Sequence, residues 1–224
     1  MKRILGIMAV LFFLLSTSAL AATITLFDND AAGFDTATAG SSFLTQDFEA
    51  FDLTPPGPDL EGATVLSGVV VSSNFDELTV FNSSFTGNQL LFGLSSSLRP
   101  LGSYYNISLT GGYNTVSFTV ESWEFFSPSE MVVTYDGGEE TFFITKTSTV
   151  ETDPVFIGLV SDTAITNIRW IETQEGTNLG SEEVGLDNIR VSSSGSSAPI
   201  PEPSTMLLFG VGLLGFAGAN RRKE

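Results

Sequence analysis

Residues 115–123 read TVSFTVESW. Val116, Phe118 and Val120 alternate with Ser117 and Thr119. Side chains on a strand point to opposite faces in turn, so this pattern buries one face and leaves the other polar. The same texture extends outward in both directions. The middle of the chain is rich in Thr, Val, Phe, Ser and Gly, and helical periodicity is nearly absent. Strands are expected at 23–27, 43–51, 63–73, 78–81, 89–94, 104–109, 115–123, 131–135, 141–146, 155–159, 165–172 and 184–191. Thr110-Gly111-Gly112-Tyr113 separates two of these runs. Asp136-Gly137-Gly138 marks a hairpin, with a loop expected to exceed two residues. Strands this short and turns this frequent predict an all-β domain, a two-sheet β-sandwich of jelly-roll type, with an edge-closed barrel as the alternative.

A few segments depart from that texture. Residues 29–39 combine an Asp/Asn start, several Ala and a closing Gly40, which predicts one short helix, weakened by Gly33. Pro55-Pro56-Gly57-Pro58 excludes regular structure from the loop at 53–61. Ile165, Ile168 and Trp170 follow no single period, so a bulge is expected there.

Charge limits the partners. The chain of 224 residues carries a formal charge of −17. Of its nine basic residues only Arg99, Lys146, Arg169 and Arg190 lie between 22 and 198, and of its 26 acids only Glu202 and Glu224 lie outside that span. The central domain is therefore more acidic than the whole. Nucleic acid is excluded as a partner, because phosphates would be repelled. There is no Cys and no His. Disulfides, thiolate catalysis, Ser-His triads and ordinary zinc sites are thereby removed. Carboxylate pairs and carboxylate-bound hard cations remain.

The ends are built differently. Met1-Lys2-Arg3, an apolar run from Ile4 to Leu15 broken by Gly6, and Ala19-Leu20-Ala21 have the form of a secretory signal peptide at 1–21, cleaved after Ala21. Residues 22–191 form the β-sandwich domain. Residues 192–199 are a Ser/Gly linker ending in Ala-Pro. At 200–224, Pro201-Glu202-Pro203 precedes an apolar stretch at 204–220, and Arg221-Arg222-Lys223 follows it. A 17-residue helix spans about 26 Å against a hydrocarbon core of about 30 Å, a short membrane span with snorkelling basic residues. Basic residues stay cytoplasmic, so Pro201–Pro203 lie at the outer membrane face in extended backbone.

This tail resembles the PEP-CTERM sorting signal, which joins a Pro-Glu-Pro motif, one membrane helix and an Arg-rich end. The resemblance implies processing by an exosortase, an integral membrane enzyme of exopolysaccharide-producing Gram-negative bacteria. It implies export through the secretion machinery and an inner-membrane-anchored precursor with a periplasmic domain. The final location would be the cell surface or extracellular matrix. The segments at 28–39, Gln46-Asp47-Phe48-Glu49, Gly68–Ser73, Phe156–Asp162 and Gly185–Val191 also make the domain similar to a recurrent ectodomain of PEP-CTERM proteins. That likeness is to a jelly-roll module, broadly similar to carbohydrate-binding sandwiches. It implies that an early strand and the last strand are neighbours sharing a structural calcium, with Asp47, Glu49 and Asp187 as candidate ligands. The alternative is that Asp187 caps a turn while Glu49 is solvated.

Other candidates are fewer. Tyr104, Tyr105, Trp123, Phe125, Phe126, Tyr135 and Trp170 offer a sugar-stacking platform, although nineteen Phe residues indicate that most aromatics fill the core. The Glu-Glu doublets at 139–140 and 182–183 place their carboxylates on opposite faces, which argues against a glycosidase pair. The expected role is a non-enzymatic, structural or adhesive surface protein. An exopolysaccharide-binding module is the alternative, and a carboxylate hydrolase a third reading.

Overall fold

The computed structural model describes residues 22–53, 58–74, 77–82, 89–94, 102–122, 129–144, 153–171 and 184–193. The expected signal peptide, the linker, Pro201–Pro203, the membrane helix and Arg221–Lys223 lie outside the described residues. Thirteen strands are described: β1 (Ile24–Asp28), β2 (Leu44–Gln46), β3 (Thr64–Leu66), β4 (Val69–Ser73), β5 (Glu77–Asn82), β6 (Gln89–Leu94), β7 (Tyr104–Leu109), β8 (Thr115–Ser122), β9 (Ser129–Tyr135), β10 (Gly138–Ile144), β11 (Val155–Ser161), β12 (Ile165–Ile171) and β13 (Val184–Ser192). Among the described residues there is one helix, α1, at Ala31–Ala37.

The strands form two antiparallel sheets. The larger has the order β1-β11-β8-β13-β6-β5, with β2 also paired to β13. The smaller has the order β10-β9-β12-β7-β4-β3. Two separate sheets make this a β-sandwich and not a closed barrel. The alternation at 115–122 works as its sequence suggests. Val116, Phe118 and Val120 are buried in the core beside Ile157, Leu159 and Leu186. From the smaller sheet, Tyr105, Ile107, Met131, Ile168 and Trp170 face them. The rings of Phe118 and Trp170 meet edge to face at 6.4 Å between centroids and join the two layers.

Three turns depart from expectation. The Asp136-Gly137 loop has only two residues, since Tyr135 and Gly138 are already partners. Gly137, at φ 118°, supplies the backbone that so tight a connection needs. The run at 63–73 is a hairpin, not one strand: Leu66 pairs with Val69 across Ser67-Gly68. The run at 43–51 keeps only three strand residues before turning away. The expected bulge is present as a register shift between Ile165 and Asn167.

Helix α1 covers the outer face of the larger sheet. Asp30 caps it by accepting a hydrogen bond from the Gly33 amide at 2.9 Å. A Cβ at Gly33 would lie 2.1 Å from Asp30 Oδ2, so the glycine serves the cap. Phe34 is fully buried, with ring contacts to Phe27, Phe43 and Phe156. It sits on Gly158, where a Cβ would come within 2.4 Å of the Phe34 ring. Arg190 stands 4.3 Å from the centre of the Phe43 ring and pairs with Asp35 at 3.6 Å.

Candidate functional site

The last strand changes neighbours halfway along. On one edge, β13 pairs with β6 through Leu186 and with β2 from Ile189 onward. On the other edge, its register against β8 shifts between Asp187 and Arg190. Asp187 and Asn188 therefore occupy a gap where one ladder ends and another begins. Asn188 takes φ 51°, the left-handed conformation that Asn tolerates better than most residues. Its backbone N–H donates to Asp187 Oδ1 at 2.6 Å, and its Nδ2 donates to Asp187 Oδ2 at 2.7 Å.

The segment after β2 closes over this gap. The Gln46 side chain holds the turn: its Oε1 accepts from the Phe48 amide at 2.9 Å, and its Nε2 donates to the Val65 carbonyl at 3.0 Å. Phe48, at φ 57°, inserts its ring into the core with no exposure. Burying that ring offsets the cost of a left-handed backbone at a bulky residue. Asp47 and Glu49 flank it and remain exposed. Asp47 Oδ1 accepts from the Glu49 amide at 3.3 Å, and Glu49 Oε1 accepts from the Gln89 amide at 2.8 Å.

Electrostatics unites these groups. Asp187 is only 2% exposed. Burial pushes its carboxyl up to about 7, the Asn188 N–H opposes the rise, and the charges of Glu121, Glu49 and Asp47 add to it. Glu121 lies on β8, directly opposite Gly185, and is itself buried. Sequence reasoning missed it. The available signal was its place two positions beyond Thr119, a carboxylate on the polar face of a central strand.

The three expected calcium ligands therefore lie near the junction of β2, β6 and β13 in the larger sheet, Asp187 inside β13 and Asp47 and Glu49 just after β2. All the groups are hard oxygen donors, which suits calcium in kind. Their spacing is wider than a formed site requires: among the described residues, no three acidic side chains form a group able to hold a metal ion. Asp187 also serves the turn at Asn188, as the alternative reading has it.

The aromatic candidates separate sharply. Trp170 and Tyr105 are 1% exposed core residues and cannot stack on a ligand. Tyr104 is half-buried on the opposite face of the same strand, and Tyr135 is half-buried at the end of β9. Trp123, Phe125 and Phe126 lie outside the described residues. Glu139 and Glu140 fall on opposite faces of the edge strand β10, with Glu139 accepting from Thr134 Oγ1 at 3.3 Å. Glu182 and Glu183 are outside the described residues.

Comparison with known proteins adds the following. Residues 199–223 match the PEP-CTERM protein-sorting motif. No curated protein matches the chain. Among solved structures, it is similar to a family 29 carbohydrate binding module at 11% identity, covering 72% of this chain and 99% of that one, with a TM-score of 0.35. A mutant of such a module complexed with mannohexaose is 9% identical over 68% of this chain and 92% of its own, with a TM-score of 0.37. A likeness at that level argues for neither a ligand nor a site here.

Proposed function

We propose that this chain is an exosortase-processed protein of the cell surface or extracellular matrix, whose β-sandwich has a structural or adhesive, non-enzymatic role. The sorting motif at 199–223 carries this reading. In it, residues 1–21 engage the secretion machinery and are removed, leaving 22–191 as a periplasmic domain on the linker 192–199. Residues 204–220 then hold the precursor in the inner membrane of a Gram-negative cell. Arg221, Arg222 and Lys223 stop transfer, and the exosortase acts on Pro201-Glu202-Pro203. Mass spectrometry of the protein recovered from the cell surface tests the reading. The expected C-terminus lies within or near the motif. A chain intact through Glu224 in a strain with active exosortase would overturn it.

A structural calcium at Asp47, Glu49 and Asp187, with Glu121 added, belongs to the same proposal. Its support is the negative charge of Glu121, Glu49 and Asp47 acting on the buried Asp187 carboxyl, which a bound cation would offset. The exposed Asp47 and Glu49 would have to close toward Asp187 for the cation to be held.

Carbohydrate binding is the second reading, in which the domain retains exopolysaccharide. The half-buried Tyr104, on the outward side of the smaller sheet with Arg169 against its ring at 5.3 Å, favours it. A hydrolase would require Asp187 and Glu121 to act on a substrate. Turnover of a polysaccharide that is lost in Asp187→Asn would establish that reading over binding alone.

A further inference from the structure

The two sheets differ in what covers them. Helix α1 packs on the outer face of the larger sheet. Among the described residues, no helix packs on the outer face of the smaller sheet. Strand registers place its side chains in rows running across the strands. Phe143 pairs with Glu130, Glu130 with Ile171, and Ile171 with Tyr104. The alternate residues Phe142, Met131, Trp170 and Tyr105 point the other way, toward the core, so this row faces out. Phe143 is 67% exposed. Three interstrand spacings separate it from Tyr104, a distance of about 14 Å.

A polar row runs beside this one. Arg169 pairs with Asn106, and Asn106 with Ser72. Asn106 Nδ2 donates to Ser72 Oγ at 3.3 Å and to Ser108 Oγ at 2.9 Å. Both amide hydrogens are employed, which fixes the side chain and leaves Oδ1 as an acceptor. Arg169 makes no ion pair among the described residues, in a chain with 26 acids. The outward positions on β12, β7 and β4 hold no carboxylate; Glu130 and Glu139 lie toward the β10 edge.

We infer that this face binds a straight, neutral polysaccharide lying across the strands. The inference rests on the carbohydrate-binding reading above and deepens it. Sugar rings have apolar faces and hydroxyl rims. Tyr104 and Phe143 offer surfaces for the faces at the two ends of a straight row. Arg169 donates, while Asn106 Oδ1 and Glu130 accept, which matches hydroxyls that do both. A polyuronate matches less well, because Glu130 stands in the row itself and the whole chain is strongly negative.

The full chain in mild detergent is tested by affinity electrophoresis against hydroxyethyl cellulose and galactomannan as neutral probes and alginate as the acidic one. The wild type is expected to be retarded by a neutral probe. Phe143→Ala and Tyr104→Ala should each weaken that retardation about tenfold. Phe143→Ala, at so exposed a position, should keep the wild-type melting temperature, which separates lost binding from lost folding. If the wild type binds a neutral probe and both variants bind equally well, this face is wrong while the carbohydrate reading stands. If the wild type binds none of the three, the carbohydrate reading itself fails. Binding to alginate alone would overturn the neutral assignment.

Discussion

Replacing Asp187 by Asn tests whether an acid is buried at a cost in this fold. The substitution keeps the shape and removes the charge. Moving a carboxyl from 3.8 to about 7 corresponds to about 4 kcal/mol against the ionised form. Below pH 3.8 the folded and unfolded chains both carry this acid protonated, and it contributes no difference. Between there and pH 7 the unfolded chain releases the proton and the folded chain keeps it. Stability then falls as pH rises, at up to about 1.4 kcal/mol per pH unit. Above pH 7 both forms are ionised and the full cost stands. The amide avoids that cost but keeps only one of the two hydrogen bonds from Asn188, a loss of about 1 kcal/mol. Asp187→Asn should therefore stabilise the protein by about 3 kcal/mol at pH 8 and destabilise it by about 1 kcal/mol below pH 4. Denaturant unfolding from pH 4 to 8, with excess chelator throughout, measures both limits. A stability difference that stays constant across that range would refute the argument. Added calcium extends the test. Binding to the folded state alone should raise the wild-type midpoint and close the gap. A wild-type midpoint unmoved by calcium would count against a cation at Asp47, Glu49 and Asp187.

Other outcomes follow from packing. Phe34→Ala should cost about 3–5 kcal/mol, because it empties the contact between helix α1 and the larger sheet. Gly158→Ala should cost about 1–3 kcal/mol, since the new methyl would fall 2.4 Å from the Phe34 ring. In the double variant the two costs should not add, and additive costs in chemical denaturation would show that the contact is misread. Trp170→Ala should lower stability by about 3–5 kcal/mol as a core truncation. The milder Trp170→Phe should leave polysaccharide retardation unchanged, and a loss of binding in a stably folded Trp170→Phe protein would return this residue to the ligand site.

What was legible in the sequence followed from local period. Val116, Phe118 and Val120 announced both the strand and its buried face, because each side chain meets the core every second residue. Two runs misled because apolar residues continue through a change of direction. At 63–73 the hairpin turns on Ser67-Gly68, where Gly68 has φ 69° and a Cβ would come 2.9 Å from the Gly111 nitrogen. At 43–51 the apolar Phe48 reads as a strand residue but serves as a plug for a turn held by Gln46. Asp187 was singled out through the likeness of GLDNIRV to the last strand of a jelly-roll module, not through any local period. Glu121 could be placed by period on the polar face of β8, but its nearness to Asp187 is set by the pairing of β8 with β13, which no local pattern encodes. The aromatics of β7 obey the local period instead. Tyr104 and Tyr105 are adjacent and chemically identical, yet one faces solvent and the other is 1% exposed. Alternation guarantees that they part, and the local pattern says which goes inward: Tyr105 shares a face with Ile107 and Leu109, and Tyr104 with Asn106 and Ser108. That choice also sets the row from Tyr104 to Phe143. A one-residue slip of β7 would send Tyr104 into the core and turn Tyr105 and Ile107 to solvent. The burial of those two residues therefore holds the register that keeps Tyr104 on the surface.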